Sequence, residues 1–228
     1  MPDSPDAAVA PDRSIASIAV LVLANIVPLI GVLFFGWQVF PIILIYWLEN
    51  VVVGGFNVLK MLTADPDQPI AWAGKLFLIP FFCIHFGMFT LIHGIFVFTI
   101  FGRGVPSLHQ FHSGWLSVAQ VMAAIHATHV EYAVLALLLS HGFSFVWNYL
   151  LGGEYKNVQL QLLMGQPYAR IVILHLVVLG GAFLVAAVGS PLPALVLLVA
   201  LKTGVDVAAH RRERRKLGAL SLPASRSA

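Results

Sequence analysis

Six stretches of this chain, at about 15–35, 38–61, 76–101, 131–151, 170–189 and 191–209, are almost unbroken runs of apolar side chains. A bilayer core about 30 Å thick is crossed by a helix of about 20 such residues. A chain of 228 residues has no soluble interior that could bury six of them. Charge leads to the same conclusion. Only 10% of residues are Asp, Glu, Lys or Arg, against about 25% in a water-soluble domain. A cytosolic globular enzyme and a disordered chain are thereby excluded. So is a secreted disulfide scaffold, because Cys83 is the one cysteine and has no intrachain partner. The expected fold is all-α: a polytopic membrane protein with a bundle of six transmembrane helices.

Residues 1–13 are rich in Pro, Ala and Asp and read as a disordered tail. Residues 14–210 form the expected transmembrane domain, and 211–228 a basic tail. Acidic residues at the extreme N-terminus (Asp3, Asp6, Asp12) speak against a cleavable signal, whose first region is basic. Turns fall at Gly36-Trp37-Gln38, at Ala64-Asp65-Pro66-Asp67-Gln68-Pro69 and at Gly189-Ser190-Pro191-Leu192-Pro193. The connection at 102–130 is long. Its apolar part, 115–127, is too short to span and suits an interfacial or re-entrant helix.

Basic residues orient the bundle. With six spans and a cytoplasmic C-terminus, twelve of the 13 Lys and Arg residues fall inside and Arg103 alone falls outside. This asymmetry follows the positive-inside rule and puts both termini in the cytoplasm. The run Arg211-Arg212-Glu213-Arg214-Arg215-Lys216 then meets anionic lipid headgroups. A net charge of +3 is too small and dispersed for a nucleic-acid surface. The partners expected are the bilayer itself and a second copy of the chain or another membrane subunit.

The informative residues are those that should not lie in hydrocarbon. An ionisable side chain there costs at least about 2.5–3.5 kcal/mol, so it faces the bundle interior. At about 100° per residue, Tyr46, Glu49, Asn50, Asn57 and Lys60 share one face of the second span. His85 and His93 share a face of the third. His141, Ser144, Asn148, Gly152 and Tyr155 form a stripe on the fourth. Asn25 is mid-span in the first helix, and His175 lies toward the inner end of the fifth. Lys202 and Asp206 are spaced i,i+4 and should pair. Glu49, His85, His93 and His141 are therefore expected to converge near the bilayer midplane, with Asn25, Tyr46, Asn50, Ser144 and Asn148 around them.

That set admits three chemistries. Neutral imidazoles with a carboxylate suit Zn, Fe or Mn, although His85 and His93 are separated by about 12 Å of helical rise. His85 and His141 could instead be the two axial ligands of a haem b, with Gly87, Gly94 and Gly142 leaving room for the ring. Or the four residues relay protons. Hydrogen bonding between helices is the purely structural alternative. His109 with His112, and His126 with His129, have i,i+3 spacing, and with Glu131 suggest an external metal clamp. Known catalytic patterns are missing: the chain has no HExxH, no Gly-x-Ser-x-Gly and no Gly-rich phosphate loop. Whether it is an enzyme is left open. Trp47–Lys60 and Trp147–Lys156 echo each other through Gly-Gly and a terminal Lys, a weak hint of a parallel repeat.

The strings YWLEN, FNVLK, HFGMFTLIHG, SHGFSFVWNYLLGGEY and the ILH of the fifth span resemble a bacterial integral-membrane family defined as a domain of unknown function. The resemblance covers residues 20–190. It implies a bacterial inner-membrane protein and brings no activity or cofactor. Three functions are expected from the residues: a buried Glu/His site for a metal, haem or protons; a small transporter or channel lined by the same stripes; or a non-catalytic accessory subunit.

Overall fold

The computed structural model describes residues 12–66, 69–108, 115–156 and 158–220. Their regular structure is helical: α1 (Asp12–Phe35), α2 (Val39–Thr63), α3 (Pro69–Phe96), α4 (Val118–Thr128), α5 (Glu131–Ser144), α6 (Leu160–Gly165), α7 (Tyr168–Val188) and α8 (Leu192–Leu220). Helices occupy all six apolar stretches. Among the described residues four segments are long and apolar enough to cross a membrane: Val39–Thr63, Trp72–Gly104, Glu131–Leu151 and Leu160–Val188. Their exposed apolar faces meet the lipid of a bilayer.

The chain divides into two compact units. One comprises the residues up to Trp37 together with those from Val196 onward. Here α1 ends where Gly36 takes φ +68°, a left-handed conformation open to glycine at little cost. The Trp37 amide then reaches back to the Gly31 carbonyl at 3.0 Å. Lys202 donates to Asp206 at 2.9 Å, as the i,i+4 spacing predicts.

The other unit is Gln38–Leu195, and α2 is its centre, touching α3, α5, α6 and α7. Two rings set how closely α2 and α3 approach. The Phe86 ring occupies the place of a side chain at Gly54, and the Trp47 ring does so at Gly94. The Trp47 indole also donates to the Thr90 carbonyl at 2.8 Å. Small residues at such crossings let helices pack where lipid supplies no hydrophobic drive.

α3 and α5 do not end cleanly. Each continues in a wider π-helical turn, at Val97–Phe101 and Phe145–Leu151. The second turn buries Tyr149, whose hydroxyl donates to the Lys60 carbonyl at 2.7 Å. In the 115–127 stretch the structure has one short helix, α4, 11 residues long. Its N-terminus is closed by a reciprocal box in which Ser117 accepts from the Gln120 amide while Gln120 accepts from the Ser117 amide.

The C-terminal end of α2 leaves backbone carbonyls without helical partners. Lys75, buried on α3, supplies donors: its Nζ is 3.0 Å from the Leu62 oxygen and 2.5 Å from that of Ala64. The ammonium also lies 4.1 Å from the centre of the Trp72 ring. Lys75→Met keeps the stem and removes the donors. An unsatisfied buried polar group costs about 1–3 kcal/mol, so the variant should melt at a lower temperature than wild type in the same detergent. An unchanged melt would show that water serves these carbonyls equally well.

Candidate functional site: a carboxylate shared between an arginine and a histidine

Glu49 sits on the polar face of α2, half-buried. Its Oε1 is 2.6 Å from Nη1 of Arg170, in the first turn of α7, and 3.9 Å from Nε2 of His141 on α5. Three helices thus meet at one carboxylate oxygen. Local sequence explains the placing of Arg170. Pro167 starts α7, where its missing N–H costs nothing, and its carbonyl accepts from the Arg170 amide at 3.1 Å. The guanidinium cannot lose its proton, so it is a permanent cation for Glu49.

A polar cavity of about 100 Å³ adjoins His141. Asn57 and Lys60 of α2, Ser144 of α5 and Gln166 line it with Val53 and Phe56. The Phe56 ring stacks on His141, centroids 6.3 Å apart. The two stripes expected on α2 and α5 therefore do face one another, at Asn57, Lys60, His141 and Ser144.

The other expected residues have separate partners. His85 hydrogen-bonds Tyr168 of α7 through Nδ1 at 2.7 Å. His93 lies two turns further along α3 and bonds His175, two turns further along α7, at 2.9 Å. The order of these pairs makes α3 and α7 parallel. The His93 tautomer follows from its other contact. Nδ1 is 2.6 Å from the Phe89 carbonyl, which can only accept, so Nδ1 carries the proton. With both rings neutral, Nε2 of His93 then accepts from Nδ1–H of His175. Phe77, Phe81, His85, Phe89 and His93 form a ladder of rings at i,i+4 spacing, with centroids 5.1 to 6.2 Å apart.

Tyr46 and Asn50 are buried next to Glu49 in the sequence. Asn50 donates to the Tyr46 carbonyl at 2.8 Å, and its Oδ1 has no hydrogen-bond partner. Asn148 donates to Ser144 at 3.3 Å on an exposed face. Asn25 donates to Asp206 at 3.1 Å within the unit that holds α1. Among the described residues no three His, Cys, Asp or Glu side chains gather as a set that could hold a metal ion. Of the external clamp, His126 pairs with Glu131 at 3.0 Å on the surface. His129 instead ends α4 with φ 54°. His109 and His112 lie outside the described residues, as does the 1–11 part of the N-terminal tail.

Three residues of this architecture lie outside the set to which the sequence points: Tyr168, which bonds His85, Arg170, which the sequence counts only among the cytoplasmic charges, and His175, which bonds His93. Tyr168, Arg170 and His175 in one apolar stretch were the available signal.

Neither a curated protein nor a solved structure matches the chain. The model of a family of unknown function, DUF6498, matches residues 7–220.

Proposed function

The chain belongs to the DUF6498 family, and from its geometry we propose a proton-handling integral membrane protein in which Glu49, Arg170 and His141 form a two-position switch. One observation carries the reading: a single oxygen of Glu49 is 2.6 Å from a permanent cation and 3.9 Å from a ring that becomes a cation only when it takes a proton. While His141 is neutral, Glu49 belongs to Arg170. A proton accepted at Nε2 creates a second cation for the same oxygen, and the carboxylate moves toward His141 as the Arg170 contact loosens. α7 is then free to shift against α2. An internal histidine and carboxylate are the groups that exchange protons within membranes.

The adjoining cavity supports the same reading. Its 100 Å³ has room for about three waters at about 30 Å³ each, with Asn57, Lys60, Ser144 and Gln166 as partners. Such waters would carry protons between His141 and the Lys60 end of α2. The topology that completes the reading has six spans in a bacterial inner membrane, both termini in the cytoplasm, and the 211–216 run on anionic headgroups. A metal site would need Glu49, His85, His93 and His141 to converge on one centre, and a haem b would need His85 and His141 on its two faces. They fall instead into pairs, so the proton reading takes precedence.

The test is proton movement. Protein is reconstituted into liposomes holding a pH-sensitive dye, and a potassium diffusion potential is imposed. Wild type should move protons above the rate of empty liposomes. Glu49→Gln and His141→Gln should fall to that baseline, while His126→Ala, altered at an exposed surface pair, should match wild type. Equal rates in wild type and Glu49→Gln would overturn the reading.

A further inference from the structure

The polar cavity beside His141 carries a charge that the Glu49 pair does not balance. Lys60 lines it, and among the described residues no carboxylate pairs with its Nζ within 4.0 Å. The ammonium stands 5.2 Å from the centre of the Tyr149 ring. Glu49 is about three turns earlier on α2, about 16 Å of helical rise, and is held by Arg170 at 2.6 Å. A charge that faces the interior of a bundle is normally paired. Lys60 has no such partner, so this cavity is short of an anion.

The rest of the lining is rich in donors. Asn57 is 3% exposed, and its amide nitrogen reaches only the Met61 sulfur, at 3.9 Å. Ser144 accepts from Asn148 at 3.3 Å, and no described group takes its hydroxyl proton, although a helical serine can give it to a carbonyl one turn back. No Asp or Glu lines the cavity. Gln166 is exposed and opens the cavity at the corner where Pro167 starts α7, the positive end of that helix dipole. The charged and titratable groups that face His141 are Glu49 and Lys60 from α2 and Arg170 from α7. With His141 neutral these three leave one positive charge, and with His141 protonated the centre has two.

We propose that the cavity binds one small inorganic monoanion of the size of chloride, held by Lys60, Asn57 and Ser144, and that protonation of His141 tightens its hold. The pH dependence rests on the His141 switch proposed above; the place of the anion rests on Lys60. The coupling is reciprocal: the bound anion makes His141 easier to protonate. Proton and anion then load together and leave the net charge of the centre unchanged.

The experiment uses the full chain in detergent. Protein freed of halide in a gluconate buffer is titrated with radiolabelled chloride in a scintillation proximity assay. One saturable site per chain is expected. Histidine is the side chain whose charge ordinarily changes between about pH 8 and about pH 5. Chloride should bind at least about tenfold more tightly at the lower pH, because an added charge a few ångströms away at a protein-like dielectric has at least that effect. The Lys60 carbonyl, not its side chain, serves Tyr149 and Ala64. Lys60→Met should therefore fold yet bind no chloride, and Lys60→Arg should restore binding. Ser144→Ala should weaken binding several-fold at both pH values, and His141→Gln should bind with no pH dependence. Absence of a saturable site in wild type, or undiminished binding in Lys60→Met and Ser144→Ala, would overturn the anion site. Equal wild-type affinity at the two pH values would overturn the coupling. The two readings fail separately. Chloride bound through Lys60 without proton movement overturns the proton switch alone, and proton movement without chloride binding overturns the anion site alone.

Discussion

Arg170→Met is expected to destabilise the protein by about 2 kcal/mol, and Glu49→Gln on that background is expected to recover most of the loss. The reasoning is one of asymmetry. Removing one partner of a buried ion pair strands the other charge and costs about 3–5 kcal/mol; the same change at an exposed pair costs at most about 1. Glu49 is 17% exposed and Arg170 is 38% exposed, so the pair stands between these limits. Met keeps the apolar stem that Arg170 lays along the bundle, which isolates the charge from the packing. Left alone, Glu49 can still draw a proton to Nε2 of His141, 3.9 Å away, and the ion pair so formed limits the damage. The double variant has no stranded carboxylate, and replacing a whole pair is often close to neutral. Detergent melts of the two single variants and the double close the cycle. Losses that simply add would show that Glu49 and Arg170 do not act on each other. The same cycle separates stability from function. The double variant should fold nearly as well as wild type while moving protons only at the baseline rate.

The place of Arg170 shows what the sequence could not disclose. Helix positions are legible because the bilayer sets a length and hydropathy expresses it; thus 38–61 appears as Val39–Thr63 and 131–151 as Glu131–Leu151. The start of the fifth span is less legible. Gln159, Gln161 and Pro167 interrupt the apolar pattern, so 152–169 reads as a loop, whereas α6 and α7 together make one apolar stretch, Leu160–Val188. Within a helix the wheel places side chains on faces reliably, since the backbone fixes about 100° per residue. Glu49, Asn57 and Lys60 are found on the polar face of α2 for that reason. Between helices nothing local decides which faces meet. His85 and His93 are two turns apart, and that alone argues against a common centre. Only the packing of α3 along α7 reveals that Tyr168 and His175, also two turns apart, serve one ring each. Arg170 carries the same charge whether it anchors a helix end to lipid or neutralises Glu49, and a count of inside charges does not distinguish the two.

Trp47→Ala should be the most damaging single change in the α2–α3 pair, at about 3–5 kcal/mol, the range for losing a large aromatic side chain from a packed interior. Three interactions go at once. The ring is 4% exposed and fills the space above Gly94, where even a methyl group would come within 2.6 Å of it. Its N–H satisfies the Thr90 carbonyl at 2.8 Å. Its edge meets Phe98, with centroids 6.1 Å apart. Trp47→Phe keeps part of the volume and the aromatic edge but not the donor, so it should lose roughly half as much. Gly94→Ala attacks the same contact from the other side, and overpacking of this kind costs about 1–3 kcal/mol. The ordering Trp47→Ala, then Trp47→Phe and Gly94→Ala, follows from packing alone and can be read from melting temperatures in one detergent. Lipid competes for whatever space a missing ring leaves. If Trp47→Ala melts within a degree or two of wild type, lipid has replaced the ring, and the α2–α3 crossing is held by Phe86 over Gly54 instead.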